Sequence, residues 1–275
     1  MVVEIEPSNI EREFLLEALE KGIRVDGRGI YDYRTLKITC SPTYGLVEVQ
    51  LGQTRVLARV TCEVTRPFPD RPTEGLVQFN ADLSNLAAPG LDSSSGKPSV
   101  QEVAVSRMIE RVIRQSRAID TEALCILAGE KVWSVRLDLH FLDHSGNLID
   151  AASIASIAAL RHFRRPDVTI DGEEAIIHDV NERNPVPLSI HHTPICVTFG
   201  FFGSNGDLML VDPNLLEEQV QVSSFTITLN SHREICALSK AGGVPLAPSL
   251  IQRCTQIALT KVDDINDKIQ EALMA

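Results

Sequence analysis

The segment from residue 129 to residue 154 constrains the fold of this chain more than any other stretch. Residues 132–142 are predicted to form a strand, and Ser145-Gly146-Asn147 a tight turn. The residues that follow are rich in Ala and Ile and predict a helix over 150–163. Because its side chains are small, this helix should lie flat against a sheet. Asp150 is predicted to be its N-cap, with a carboxylate that accepts the free N–H groups of the first turn.

The rest of the chain alternates between strand clusters and isolated helices. Ser8 and Glu11 form a capping-box pattern that begins a first helix, and Gly22 ends it. Residues 87–98 are rich in Gly, Ser and Pro and are predicted to form a loop. Two further helices are predicted at residues 100–116 and 248–272. The other predicted strands are residues 33–38, 46–51, 54–63, 76–83, 195–202, 208–211, 224–229 and 235–238, with a short one around Ile176.

This order of elements predicts an α+β architecture with mixed sheets and packed helices. We expect an N-terminal helix over residues 1–24 and one domain over residues 25–275, which includes the long C-terminal helix. No apolar run approaches the roughly 20 residues that a membrane span requires, so no membrane partner is expected. The N-terminus also lacks the pattern of a secretory signal.

Charge and cysteine content limit the function classes. A net charge of −11 argues against a self-sufficient nucleic-acid binder, although a local basic face could still contact RNA. The cysteines are scattered and form no C-x-x-C pair, which favours buried free thiols over disulfides or zinc ligands. They are Cys40, Cys62, Cys125, Cys196, Cys236 and Cys254.

Several motifs together resemble one family. They are Arg24-Val-Asp-Gly-Arg28, Gly129-Glu-Lys-Val-Trp133, Asp138-Leu-His140, Gly146-Asn147, Asp150-Ala-Ala-Ser-Ile154, His162-Phe-Arg-Arg-Pro-Asp167 and Pro185-Val-Pro-Leu-Ser-Ile-His-His192. This set is similar to the RNase PH-type ring subunits of the eukaryotic RNA exosome, over about residues 8–272. The resemblance implies the RNase PH-type fold, which belongs to the ribosomal protein S5 domain 2-like class.

The resemblance also implies partners and a place in the cell. Such subunits form a hetero-hexameric ring of RNase PH-type domains, with cap subunits of the S1/KH type and an associated nuclease. Single-stranded RNA passes through the ring. Residence in the nucleus, the nucleolus and the cytoplasm follows from the same resemblance. Neither the resemblance nor the residues imply a cofactor.

The catalytic residues of active relatives are not matched here. Aligning Ala152-Ser-Ile154 places Ile149-Asp150 where active relatives carry a Thr-Arg pair that grips phosphate. The pair of aspartates six residues apart falls on Glu218 and Ser224, counted from Asp212, and a further phosphate-binding arginine falls near Gln101. Glu218 is predicted to be a solvated surface charge, and Asp212 to end a strand. The chain is therefore predicted to be a catalytically inactive homologue.

Contact with RNA remains as a function that the sequence supports. Arg107, Arg111 and Arg114 are spaced to share one face of the helix over residues 100–116, a pattern suited to three phosphates. The alternative is that they form ordinary surface salt bridges with Glu110, Asp120 or Glu122. Arg66 and Arg71 lie on a Pro-rich loop, where RNA contact and simple hydration are equal alternatives.

Histidines offer the main competing chemistry. His140 and His144 flank a strand end, and His191 and His192 adjoin Pro194, but strand geometry would separate the latter two. A metal site is therefore not expected. Three functions stay open: a non-catalytic, RNA-contacting ring subunit, an active phosphorolytic 3′-to-5′ exoribonuclease within a heterodimer, and a structural partner that never touches RNA.

Overall fold

The computed structural model describes residues 7–84, 87, 98–171, 174–178, 182–203 and 206–274. The chain forms a six-stranded mixed sheet, a four-stranded antiparallel sheet, two small two-stranded sheets and five α-helices within these ranges. The α+β prediction is confirmed. Most of the predicted loop over residues 87–98 lies outside the described residues.

The larger sheet is built mainly from the N-terminal half. Its strands are β1 (Leu36–Cys40), β2 (Leu46–Leu51), β3 (Thr54–Thr65), β4 (Leu76–Leu83), β5 (Cys125–Leu127) and β6 (Lys131–Asp143). Strands β1, β2, β3 and β6 are antiparallel neighbours, whereas β4 pairs with β6 in parallel. Gly52 adopts φ +62° in the tight turn between β2 and β3, a conformation that favours glycine.

The smaller sheet comes from the C-terminal half. It contains β11 (Ile195–Phe202), β12 (Leu208–Val211), β13 (Ser223–Leu229) and β14 (Ile235–Ala241), in the order β12-β11-β13-β14. Every residue of β11 is buried, because this strand lies in the middle of the sheet. The two small sheets pair β7 (Arg164–Arg165) with β10 (Val186–Pro187), and β8 (Val168–Asp171) with β9 (Glu174–Ile177).

Helix α3 (Leu148–His162) is the centre of the molecule. It packs against β2 and β3 on one side and against β11 on the other. All of its residues from Leu148 to Leu160 are buried except Ile149. The predicted helix of small side chains is thus confirmed. Because its Ala and Ser side chains occupy little volume, two sheets can pack closely against it.

The other helices cover the outside of this assembly. They are α1 (Asn9–Glu20), α2 (Val100–Glu110), α4 (Leu215–Val220) and α5 (Pro248–Met274). Helix α1 has the predicted capping box at Ser8 and packs Leu15 and Leu19 against Phe202 of the smaller sheet. Helix α5 packs on α3, β1, β11 and β13. No described helix combines the length and the hydrophobicity needed to cross a bilayer.

The predicted boundaries of the first strand and of the helix over residues 100–116 are wrong. The first strand begins at Leu36 rather than residue 33, because the side chains of Tyr33 and Arg34 bond to Asp150 and Asp212 before the strand starts. The helix predicted over residues 100–116 is α-helical only to Glu110, and a π-helical turn continues over Arg111–Gln115. The division of the chain at residue 24 stays a prediction.

Candidate functional site

The start of α3 contains a buried carboxylate where the sequence predicts an N-cap. The N-cap is Asn147, in the left-handed conformation at φ 53°, so Asp150 lies inside the first turn. The Asp150 side chain is 0% exposed and turns away from the free N–H groups of the helix. The N-cap prediction for Asp150 is therefore wrong.

Four donors hold the Asp150 carboxylate in the interior. The Tyr33 hydroxyl (2.6 Å) and Asn147 Nδ2 (2.8 Å) donate to Oδ2, as does the Thr198 backbone N–H (2.9 Å). The Thr198 hydroxyl donates to Oδ1 at 2.7 Å. Burial raises the pKa of Asp150 to about 6 even though these hydrogen bonds oppose the rise. The residue ties the N-terminal segment and the smaller sheet to α3.

A second buried carboxylate, Asp212, lies beside it. Asp212 follows β12 at φ 51° and accepts hydrogen bonds from Arg34 Nη2 at 2.8 Å, Arg28 Nη1 at 3.0 Å and Asn147 Nδ2 at 2.6 Å. Burial acts to raise the pKa of Asp212, but the hydrogen bonds and charge of Arg34 prevail and lower it. Asp212 follows the end of a strand, as predicted. In addition, its buried, charged carboxylate links Arg28, Arg34 and Asn147.

Arg34 also braces the turn that precedes α3. Its Nη1 and Nη2 atoms donate to the carbonyl oxygens of Ser145 (2.9 Å) and Gly146 (3.1 Å). Thr54 of β3 donates its hydroxyl to the same Gly146 oxygen at 2.8 Å. The turn is thereby fixed to the larger sheet and to the N-terminal segment.

Glu218 occupies the N-terminal end of α3. Its Oε1 atom accepts the Asn147 backbone N–H at 2.8 Å. The side chain is half-buried, and burial raises its pKa to about 7, in opposition to that hydrogen bond. The predicted solvated surface charge is therefore wrong. A helix N-terminus attracts anions, and here the attracted anion belongs to the chain itself.

The neighbouring Glu217 forms a separate buried ion pair. Arg24 is 1% exposed and donates from Nη2 to Glu217 Oε2 at 2.6 Å and from Nε to Oε1 at 3.0 Å. Its guanidinium also donates to the carbonyl oxygens of Val211 and Asp212, at 2.8 and 2.9 Å, and its Nε lies 3.8 Å from Asp26 Oδ1. This pair holds the turn after α1 against α4.

Ser224 and Gln101, the other two residues that align with catalytic residues of active relatives, lie apart from the cluster around Asn147. Ser224 is on β13, in register with Gly200 of β11 and Ala241 of β14. Gln101 is exposed in the first turn of α2. Neither contributes a hydrogen bond to the cluster around Asn147 within the described residues.

Arg107, Arg111 and Arg114, which were predicted to share one helix face and are called the arginine face, differ in their pairing. Arg107, Arg111 and Arg114 are all exposed, while Val105, Met108 and Val112 are buried in the core. Arg114 Nη1 donates to Glu110 Oε1 at 2.9 Å, which is the salt-bridge alternative. The guanidinium groups of Arg107 and Arg111 have no hydrogen-bond or ion-pair partner among the described residues.

The two arginines of the Pro-rich loop, Arg66 and Arg71, also differ in their pairing. Arg66 is exposed and unpaired within the described residues, whereas Arg71 donates to Glu74 Oε2 at 3.1 Å. Arg71 and Arg114 line one surface crevice of about 440 Å³, together with Arg117. We call this cavity the Arg117 crevice. Arg66, Arg107 and Arg111 do not line it.

The histidines and cysteines are dispersed. His140 Nδ1 lies 3.2 Å from Asp82 Oδ2, and His192 Nε2 donates to the Ser116 carbonyl at 2.8 Å. In the described part of the chain, no three His, Cys, Asp or Glu side chains are placed where they could share a metal ion. All six cysteines are free thiols as predicted, but only Cys196 and Cys254 are buried.

The buried ionic cluster was not predicted as a site. The sequence does show a charge-rich turn at Arg24-Val-Asp-Gly-Arg28, but nothing local indicates that its partners lie nearly 190 residues away. Arg34 carries no motif signal at all. The one usable signal was the acidic pair Glu217-Glu218 directly after an Asn-Leu-Leu helix start.

Comparisons with known proteins agree with this architecture. The chain matches the model of the 3′ exoribonuclease family, domain 1, over residues 32–166, and that of domain 2 over residues 192–261. It is 49% identical to the exosome complex component rrp45 of Schizosaccharomyces pombe, over 98% of this chain and 91% of that protein. It is 51% identical to the exosome complex component RRP45 of Homo sapiens over 97% of this chain. The chain spans about 60% of the length of the mammalian relatives.

Solved structures show the same fold. A chain of the Archaeoglobus fulgidus exosome with RNA bound to the active site superposes with a TM-score of 0.81 at 31% identity, covering 94% of this chain and 98% of that one. A chain of an archaeal exosome core gives a TM-score of 0.76 at 29% identity, covering 95% and 97%. The expected RNase PH-type fold is therefore confirmed.

Proposed function

Because this chain belongs to the 3′ exoribonuclease (RNase PH) family, we propose that it is a non-catalytic, RNA-contacting subunit of the RNA exosome core ring. In that place it would support 3′-to-5′ processing and degradation, including rRNA maturation and the turnover of mRNA and non-coding RNA. Its partners would be other RNase PH-type subunits of a hetero-hexameric ring, S1/KH-type cap subunits and an associated nuclease. The similarity to RRP45 components supports this proposal.

Two finer assignments belong to the same proposal. The sequence motifs resemble exosome component 9 in particular, and the relatives found by comparison bear the name RRP45. Residence in the nucleus, nucleolus and cytoplasm is proposed from the family resemblance alone. Microscopy of the tagged chain would test it, and a signal confined to one compartment would contradict it.

One observation carries the proposal of inactivity: three carboxylates meet at Asn147, where α3 begins. Glu218 accepts the Asn147 backbone N–H, and Asp150 and Asp212 share its side-chain amide. A phosphate entering this space would be repelled by about 4 kcal/mol per unit charge at about 4 Å and an effective dielectric of about 20. The guanidinium groups of Arg34 and Arg28, which reach this cluster, are already engaged with Asp212.

The alternative, an active phosphorolytic exoribonuclease within a heterodimer, has one observation in its favour. The pKa of Glu218, about 7, lies in the range that suits a general acid or base. A general acid alone does not bind phosphate, however, and Ser224 cannot supply the second carboxylate. We therefore favour the inactive subunit.

Contact with RNA is proposed for the exposed arginines. Arg107 and Arg111 are free to bind phosphates, and Arg66 is a further exposed cation. Arg71 and Arg114 would have to exchange or share their Glu partners. If Arg107 and Arg111 each neutralise one phosphate, they contribute about −1.4 to the slope of log affinity against log salt for single-stranded RNA.

The experiment is RNA protection by the reconstituted ring at several salt concentrations. Reversing Arg107 and Arg111 to Glu should weaken RNA binding and reduce the salt slope by at least about 1.4. The matched control reverses Arg12 and Lys21, two exposed cations of the α1 region without a described ion pair, and should leave binding unchanged. Equal RNA protection in both double variants would favour a purely structural subunit.

A further inference from the structure

Arg117 occupies a backbone conformation that does not suit arginine. It lies two residues after the π-helical turn, at φ 56°, where its N–H donates to the Arg114 carbonyl at 3.2 Å and the Ala118 N–H donates to the Ile113 carbonyl at 3.0 Å. Such left-handed positions at helix ends favour Gly or Asn, because any other side chain is strained there. Folding alone therefore gives no reason for an arginine at this residue.

The side chain of Arg117 has no structural task either. It is exposed, and its guanidinium makes no hydrogen bond or ion pair with the described residues. Its two neighbours in the Arg117 crevice differ in this respect, since Arg71 is paired with Glu74 and Arg114 with Glu110. Arg117 is thus the cation of this crevice with all five N–H donors available.

The Arg117 crevice has the size and the surfaces that one nucleotide needs. Its volume is about 440 Å³, within the range of small-molecule sites. Val77, Phe79 and Ile113 provide apolar lining, and the half-buried ring of Phe79 offers a face for stacking. Aromatic faces bind bases of single strands with little sequence preference, while guanidinium groups bind the phosphates.

Carboxylates also line the crevice and limit what can bind. Glu74, Asp120 and Glu122 balance the three arginines, so the crevice is not a continuous cationic track. Glu74 is paired with Arg71, and Asp120 Oδ1 accepts the backbone N–H groups of Glu122 and Ala123 at 3.1 and 3.2 Å. Because Arg71 and Arg114 are already paired with Glu74 and Glu110, Arg117 is the arginine lining this crevice that can bind a phosphate without breaking a described ion pair.

We infer that the Arg117 crevice holds one nucleotide of single-stranded RNA, with Arg117 on its phosphate and Phe79 beneath its base. This inference rests on the proposed RNA-contacting function and extends it to a residue outside the predicted arginine face. The strain at Arg117 is then explained by function. The left-handed turn places an unpaired guanidinium at a crevice whose other two arginines are held in ion pairs with Glu74 and Glu110.

The test uses Arg117→Gly in the reconstituted ring. Glycine removes the guanidinium and relieves the backbone strain, so the melting temperature should stay equal or rise while RNA binding weakens. The slope of log affinity against log salt should fall by about 0.7, the value for one single-strand phosphate. Arg117→Asn, which also tolerates the left-handed conformation, should behave in the same way if the glycine variant folds poorly.

Arg233→Gly is the matched control. Arg233 is also at positive φ, 65°, its guanidinium lies 3.7 Å from Asp263, and it does not line the Arg117 crevice. Its replacement should leave RNA affinity and salt slope unchanged. A Phe79→Ala variant should weaken RNA binding without changing the salt slope, because stacking releases no counterions.

The outcomes separate this inference from the function on which it rests. If Arg107→Glu with Arg111→Glu weakens RNA binding but Arg117→Gly and Arg117→Asn do not, the Arg117 crevice is no RNA site and only this inference fails. If none of these variants changes RNA binding, the RNA-contacting function itself fails. A loss equal to that of Arg233→Gly would also overturn the inference.

Discussion

Asn147 is the residue on which the start of α3 depends. Its Nδ2 donates to Asp150 and Asp212, and its backbone N–H donates to Glu218. Its Oδ1 atom, in turn, is buried without a hydrogen-bond partner in the described structure. A single amide therefore separates three carboxylates that would otherwise repel one another.

Asp150 should make the stability of the chain depend on pH. Its folded pKa of about 6 lies above its ordinary value of 3.8, so the folded state holds the proton more tightly. The stabilisation is fully present below about pH 4 and is lost as pH rises through 6. Relative to Asp150→Asn, the wild type should therefore lose about 1–2 kcal/mol of unfolding free energy between pH 5 and pH 8.

Urea denaturation of both proteins at the two pH values measures this difference. Glu218, with a pKa raised to about 7 by burial, acts in the same direction, and the charge of Asp150 is one further cause of that rise. Asp150→Asn therefore also weakens the pH dependence that Glu218 contributes, which adds to the difference between the two proteins. A stability difference that is independent of pH would mean that Asp150 is charged throughout and that burial does not raise its pKa.

Arg24 should be among the residues most sensitive to replacement. Arg24→Met leaves Glu217 buried without its cation, and such a loss costs about 3–5 kcal/mol. The control is Arg55→Met, which breaks an exposed pair with Glu48 and should cost less than about 1 kcal/mol. Equal midpoints of chemical denaturation for the two variants would contradict the structural role of the Arg24–Glu217 pair.

Among the elements, α3 shows how far the sequence determined the fold. Its small side chains predicted a helix packed flat on a sheet, and the structure places it between two sheets. Its first residue was mispredicted, because the polar residue nearest the turn was assumed to cap the helix. The donors that draw Asp150 inward, Tyr33 and Thr198, are 117 and 48 residues away and could not be inferred from the local pattern.

The turn before α3 should tolerate no side chain at Gly146. A Cβ atom there would lie 2.5 Å from the backbone atoms Asn214 C and Leu215 N, and φ is +88°. Gly129 is the matched control, with φ +82° and nothing within 4 Å of its Cβ position. Gly129→Ala should cost about 1–2 kcal/mol from the backbone alone.

Gly146→Ala should cost about 1–3 kcal/mol beyond that, because the backbone of the segment before α4 must move. Thermal unfolding of the two variants provides the comparison. Equal melting temperatures would contradict the close packing of this turn against the backbone of Asn214 and Leu215.

The whole molecule joins two sheets from different halves of the chain through α3 and the ionic cluster. Strand positions and the α+β class followed from local patterns, since alternation and turn residues are local properties. The cluster did not, because Arg24, Arg28 and Arg34 find their acceptors after β12. The sequence predicted which arginines share the exposed face of this helix. It did not predict the π-helical turn, and it left the pairing of Arg114 with Glu110 as one alternative.

Phosphorolysis is the measurement that tests the absence of catalysis most directly. The reconstituted ring would be incubated with end-labelled RNA and inorganic phosphate, with the wild-type chain or with Glu218→Gln, and the release of nucleoside diphosphates would be followed. Gln keeps an oxygen that can accept the Asn147 N–H, so folding should be preserved. We predict the same rate of nucleoside diphosphate release for both rings, because the carboxylates at the start of α3 exclude phosphate from this position. Release that depends on Glu218 would contradict the inactive subunit.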